Sequence, residues 1–101
     1  MSNGSLISKE NAKAMIQAYQ DNAPTDAIYA HLYDADLIQQ LLNEEDTEGI
    51  RIYHGLDSEG KQRLILVCVD GNGNDLPDKD ILEYATHCPP NCDENSYFMN
   101  D

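Results

Sequence analysis

"GIRIYHGLDSEGKQRLILVCVD", residues 49–70, is the stretch on which the fold turns. Its first half alternates. Ile50, Ile52, His54 and Leu56 fall on one side, with Arg51 and Tyr53 on the other. A period of two marks a strand. Ser58-Glu59-Gly60-Lys61 then gives a short loop, with glycine where a left-handed residue is needed. From Leu64 to Val69 the chain is apolar on both sides, as in a central strand covered on both faces. The stretch predicts an antiparallel hairpin at about 49–57 and 62–70. Cys68 lies inside the apolar run and is expected to act as a small core residue. His54 shares its side with three aliphatics and is expected to be a core or edge histidine rather than a catalyst.

Upstream, Asp34 reads as an N-cap, and Leu37, Ile38, Leu41 and Leu42 form the apolar stripe of a helix. Glu44, Glu45 and Asp46 would sit badly at the negative end of its dipole, so the helix should stop near Asn43. In "TDAIYAHLYD", Ile28, Ala30 and Leu32 alternate with Tyr29, His31 and Tyr33, which fits a strand at 28–33. A helix starting at Thr25 is the competing reading. Ser8 can cap a first helix at about 9–21 whose apolar face is Ala12, Met15, Ile16 and Tyr19. Asp21-Asn22-Ala23-Pro24 closes it, because a residue before proline avoids the helical region. Downstream, Ile81, Leu82 and Tyr84 suggest a short further strand ending near Thr86. The expected fold is α+β: two helices packed on a small three- to four-stranded antiparallel sheet, in order α-β-α-β-β, with an irregular C-terminal tail. Length predicts one domain over residues 1–101, with a flexible N-terminus at 1–7, a core at 8–86 and a tail at 87–101.

Charge is the main compositional signal. The chain carries 19 acids and 6 bases, a net −13. The acids are segregated: residues 1–48 have a balance of −7, residues 49–70 of zero, and residues 71–101 of −6. Six acids and no base lie from Asp34 to Glu48. Nonspecific binding to nucleic acid or to anionic membrane needs Lys and Arg, so neither is expected. No apolar run approaches the ~18 residues that span a bilayer. "MSNGSLISKE" lacks the basic start and apolar core of a secretory leader, so a cytoplasmic address is expected.

The motifs with chemical potential are few. Asp70, Asn72, Asn74, Asp75 and Asp78 place oxygens as in a calcium loop. However, Asp75 stands where that loop needs glycine and Ile81 where it needs a bidentate glutamate. A tight turn accounts for the two glycines and two asparagines more simply. His87, Cys88 and Cys92 offer three zinc ligands, with His31 or His54 needed as the fourth. Redox catalysis is disfavoured, since Asp93 and Glu94 follow Cys92 and oppose a thiolate. A Cys88–Cys92 disulfide is geometrically open, because Pro90 and Asn91 suit the corner of a turn. In a reducing cytoplasm two free thiols bracketing that turn are expected instead. No serine occupies a nucleophile elbow, no glycine-rich turn carries a phosphate signature, and spacing singles out no acid–base pair.

The run "GIRIYHGLDSEGKQRLILVCVDGNGND", with the Tyr33-Asp34 cap before it and Cys-Pro-Pro-Asn-Cys after it, resembles a group of small bacterial proteins of no established activity. The likeness spans roughly residues 28–92. It implies a strand rather than a helix at 28–33, and implies no catalytic residue. The expected function is non-enzymatic. An acidic partner-binding module, of the inhibitor or toxin-neutralising type, would present Asp34, Asp36, Glu44, Glu45, Asp46 and Glu48 to a basic protein, with no cofactor. The alternative is a small metal-binding protein using the 70–78 loop or the 87–92 segment.

Overall fold

The computed structural model describes residues 3–99. In chain order the elements are α1 (Lys9–Asn22), β1 (Ala30–Leu32), α2 (Ala35–Leu42), β2 (Gly49–Leu56), β3 (Gln62–Val69), β4 (Ile81–Leu82) and β5 (Thr86–Cys88). Two helices and a small antiparallel sheet make this an α+β fold. The α-β-α-β-β order read from the sequence holds, and the further strand expected near 81–86 is two short strands. β2, β3 and β4 form one sheet in that order, and β1 pairs with β5 in a second, two-stranded one. The described chain divides into two compact units, residues 31–86 and residues 3–30 with 87–99. Helix α1 thus groups with the C-terminal segment, where the sequence suggested a core at 8–86 and a separate tail.

The first unit is built on the hairpin. β2 and β3 run in unbroken register from Gly49 opposite Val69 to Leu56 opposite Gln62. The loop between them is fixed by Asp57, whose Oδ1 accepts hydrogen bonds from the Glu59 and Lys61 amides at 2.8 and 2.9 Å. Gly60 takes the left-handed conformation, φ 81°. This is why the loop places its glycine there. β3 is central, as its two-sided apolar pattern predicted, and Leu66 to Val69 are all buried. Leu41 from α2 meets Leu66, Cys68 and Leu82, with Tyr33, Ile38, Ile50, Leu64 and Leu76 around them. Cys68 is fully buried, as expected of a core thiol. The Tyr33 hydroxyl donates to the Leu64 carbonyl at 2.5 Å. Burial, and then the neighbouring Glu83 carboxylate, push the Tyr33 pKa up.

Helix α2 contacts β3 and β4, so its cover ends before the far part of β2. Ile52 is 53% exposed and Leu56 71% exposed, and His54 between them is exposed as well. The core alternative for His54 is thereby corrected: it stands on an edge strand, beyond the reach of an eight-residue helix.

In the second unit, Ser8 caps α1 by accepting the Asn11 amide at 3.0 Å, and Glu10 occupies the first turn. The helix is held by the C-terminal residues. Gln17 donates to the Phe98 carbonyl at 3.2 Å, and Lys9 and Lys13 lie 5.0 and 4.7 Å from the centre of the Tyr97 ring. Ala27, Ile28 and Cys88 are buried. Residues 3–7 are exposed and in neither helix nor strand. The rest of the expectation for 1–7, and the end of the expected tail, fall on residues 1, 2, 100 and 101, outside the described residues.

Cys88 and Cys92 are joined by a disulfide, with Cα atoms 4.7 Å apart. This corrects the expectation of free thiols. The Asn91 amide bonds back to the His87 carbonyl at 2.9 Å, and the resulting turn brings the two sulfurs together. A ring this short removes little unfolded-state entropy. Reduction with dithiothreitol should therefore lower the unfolding free energy by no more than about 2 kcal/mol, read from the shift of a urea transition. A collapse of the fold on reduction would show that the bridge does more than this ring closure.

Candidate functional site

The residues proposed from sequence fall on α2 and the turn after it. Asp34 is the N-cap. Its carbonyl accepts the Leu37 and Ile38 amides, each at 3.2 Å, while its side chain makes no capping bond and stays exposed. Asp36 lies in the first turn, where negative charge suits the helix dipole. The apolar stripe turns Ile38 and Leu41 inward, which leaves Asp36, Gln39, Gln40 and Asn43 on the other side. The helix ends at Asn43, whose amide bonds to the Gln39 carbonyl at 2.9 Å. Stopping there, before the acids, keeps them out of the last helical turn, as the dipole argument predicted.

Asp36, Gln39, Gln40, Asn43, Glu44 and Glu45 together line a shallow groove of 490 Å³. Three of the six proposed acids are thus brought to one depression. Asp34, Asp46 and Glu48 are not part of its lining. Asp46 takes a left-handed conformation, φ 68°, in the turn that leads to β2. Glu48 sits just before that strand, its amide bonded to the Val69 carbonyl at 2.8 Å. Three carboxamides in the groove had no charge or spacing signal to mark them. Gln39 donates to the Asn43 side chain at 3.1 Å, and Gln40 donates to the Asp80 carboxylate at 2.6 Å. The latter bond brings a distant acid to the rim, which only the fold could place there.

Ion pairing happens elsewhere. Among the described residues, Arg51 pairs with Asp75, and Arg63 pairs with Asp57 and Glu83. No ion pair among the described residues engages Asp34, Asp36, Glu44, Glu45, Asp46 or Glu48. The groove therefore keeps its charge.

The calcium alternative meets a competing use of its oxygens. Asp70 Oδ1 accepts the amides of Asn72 and Asn74, both at 2.9 Å, and Gly73 is left-handed with φ 83°. This is a turn closed by its own aspartate. The Asp75 carboxylate is taken up by Tyr53 and by Arg51, which also donates to the Gly73 carbonyl of the turn at 3.1 Å. Asn74 and Asp78 are exposed surface residues. The zinc alternative loses two ligands to the Cys88–Cys92 bridge, since a disulfide sulfur is no thiolate, and His87 alone remains. Among the described residues no three His, Cys, Asp or Glu side chains converge on a point where an ion would sit.

The Asp70 carboxyl is held below the usual carboxylate range, first by the Asn74 amide and then by that of Asn72. Asp57 is lowered in the same way by the Lys61 amide, then by Glu59 and Arg63. A carboxyl whose folded pKa lies below its unfolded value stabilises the fold above the unfolded pKa. That contribution disappears as pH falls through the folded pKa. Stability should therefore decline below pH ~4. Asp70→Asn keeps an acceptor oxygen in the turn but cannot titrate. A urea series against pH should show a flatter acid slope in that variant, and an unchanged slope would remove Asp70 from the account.

What fold and site define is a small α+β protein with an acidic, carboxamide-lined helix face. No helix among the described residues is long and apolar enough to cross a membrane. Compared with protein-family models, with curated proteins and with solved structures, the chain matches none.

Proposed function

We propose that the chain is a non-enzymatic partner-binding module that offers α2 and the following turn to a basic protein surface in the cytoplasm, in the manner of an inhibitor or toxin-neutralising protein. One observation supports this reading most: Asp36, Glu44 and Glu45 share a groove with hydrogen-bonding carboxamides and have no cation paired to them. A basic side chain entering there meets uncompensated charge for steering and Gln39, Gln40 and Asn43 for orientation. The groove is open and shallow, which suits the side chains of a protein partner better than the enclosure of a small substrate. Its occupant is an arginine- or lysine-rich surface.

The test is affinity capture on the immobilised full chain, followed by identification of what is retained and measurement of its association rate. A basic protein should be recovered, with an association rate that falls steeply as salt rises from about 50 to 500 mM. Binding that is indifferent to salt, or recovery of acidic proteins only, would overturn the proposal.

A further inference from the structure

Among the described residues, the sheet order β2-β3-β4 leaves one long edge without a strand beside it. The hairpin bonds decide what that edge displays. Asp57 donates its amide to the Lys61 carbonyl at 3.0 Å, so the two close the hairpin as a hydrogen-bonded pair. In an antiparallel ladder bonded and non-bonded pairs alternate. By that alternation Gly55, Tyr53 and Arg51 face β3, while Leu56, His54, Ile52 and Ile50 turn their amides and carbonyls outward. Two contacts on β3 agree. The carbonyls of Leu64 and Cys68, opposite His54 and Ile50, point away from β2 and accept bonds from Tyr33 and the Leu76 amide.

This open edge also has distinctive side chains. Ile52 and Leu56 are exposed beside it. β2 contains Arg51 and no acid, and Arg51 is already paired with Asp75. Residues 49–70 are neutral overall, in a chain of net charge −13. Two copies approaching by either acidic flank repel. At β2 that repulsion is least, and the exposed backbone groups are complementary to a second set of themselves. We infer that β2 is a self-association edge, at which a second copy of this chain adds its own β2 antiparallel and makes one six-stranded sheet across a two-fold axis. This surface is distinct from the α2 groove and does not depend on it.

Sedimentation equilibrium of the full chain tests it. The mass should rise with concentration toward twice the 11.3 kDa of one chain. Salt should strengthen the dimer, because it screens the mutual repulsion. Salt acts in the opposite sense on a basic partner at α2, so the two ideas fail separately. Ile52→Lys places a charge on the edge, and His54→Pro removes an outward amide while sparing the inward ones. Each should weaken dimerisation at least tenfold with the far-ultraviolet circular dichroism unchanged. Hydrogen exchange of the unmodified chain covers the case in which a variant fails to fold. The amides of Ile50, Ile52, His54 and Leu56 should gain protection as concentration rises. A chain that stays monomeric at all concentrations overturns the proposal. So does a dimer in which those four amides remain unprotected, or one that survives both substitutions.

Discussion

Replacing Leu41 with alanine should lower the unfolding free energy by about 3 kcal/mol. Leu41 is the one buried side chain of α2, 2% exposed, and it meets Leu66, Cys68 and Leu82. Two of those partners are locked in β3 by register with β2, and Leu82 by register with Leu66. They have little freedom to move into the space a missing isobutyl group leaves, so the cavity term adds to the transfer term. Small domains hold only ~5–15 kcal/mol of net stability, and such a loss is a large part of it. Urea denaturation followed by circular dichroism measures it. Leu42→Ala is the control: that neighbour is 48% exposed and should cost less than about 1 kcal/mol. Equal effects at the two positions would mean that α2 does not dock through Leu41.

The second large effect concerns binding. Combining Glu44→Lys, Glu45→Lys and Asp46→Asn should slow association with a basic partner at least tenfold at low salt and change dissociation far less. The substitutions respect the local backbone. Asp46 has φ 68°, a conformation that asparagine accepts and lysine resists, so neutralisation is used there and reversal at its neighbours. Lysines just past the C-terminus of α2 also suit its dipole, so the fold is not weakened. Stopped-flow association at two salt concentrations reads the outcome. Unchanged rates would end the proposal that this face steers binding. A faster dissociation alone would point to short-range contacts in place of steering.

Much of the fold was legible because its signals are local. The hairpin announces itself through period two in Ile50 to Leu56 and through a loop with glycine in place. The limits of α2 follow from a cap at Asp34 and from acids that a helix C-terminus repels. What escaped the sequence depends on distant pairing. Strand β5 exists because it pairs with β1, far away in the chain, and three residues carry no period by themselves. His54 could not be assigned to core or edge, because alternation gives its side of the strand but not how far α2 extends over it. The Cys88–Cys92 bridge turned on a redox compartment, which residue spacing does not encode. Asp80 joined the rim of the groove through Gln40, a bond across 40 positions that no motif marks.

One feature of the architecture bears on biosynthesis. Helix α1 has partners far along the chain: Gln17 and the Phe98 carbonyl are 81 positions apart. Residues 31–86, by contrast, are contiguous and carry their own apolar centre. As the polypeptide leaves the ribosome, residues 31–86 can fold around their own centre, while helix α1 must wait for Tyr97 and Phe98 to be made. A change at Tyr97 or Phe98 would therefore be felt first at helix α1, far earlier in the chain.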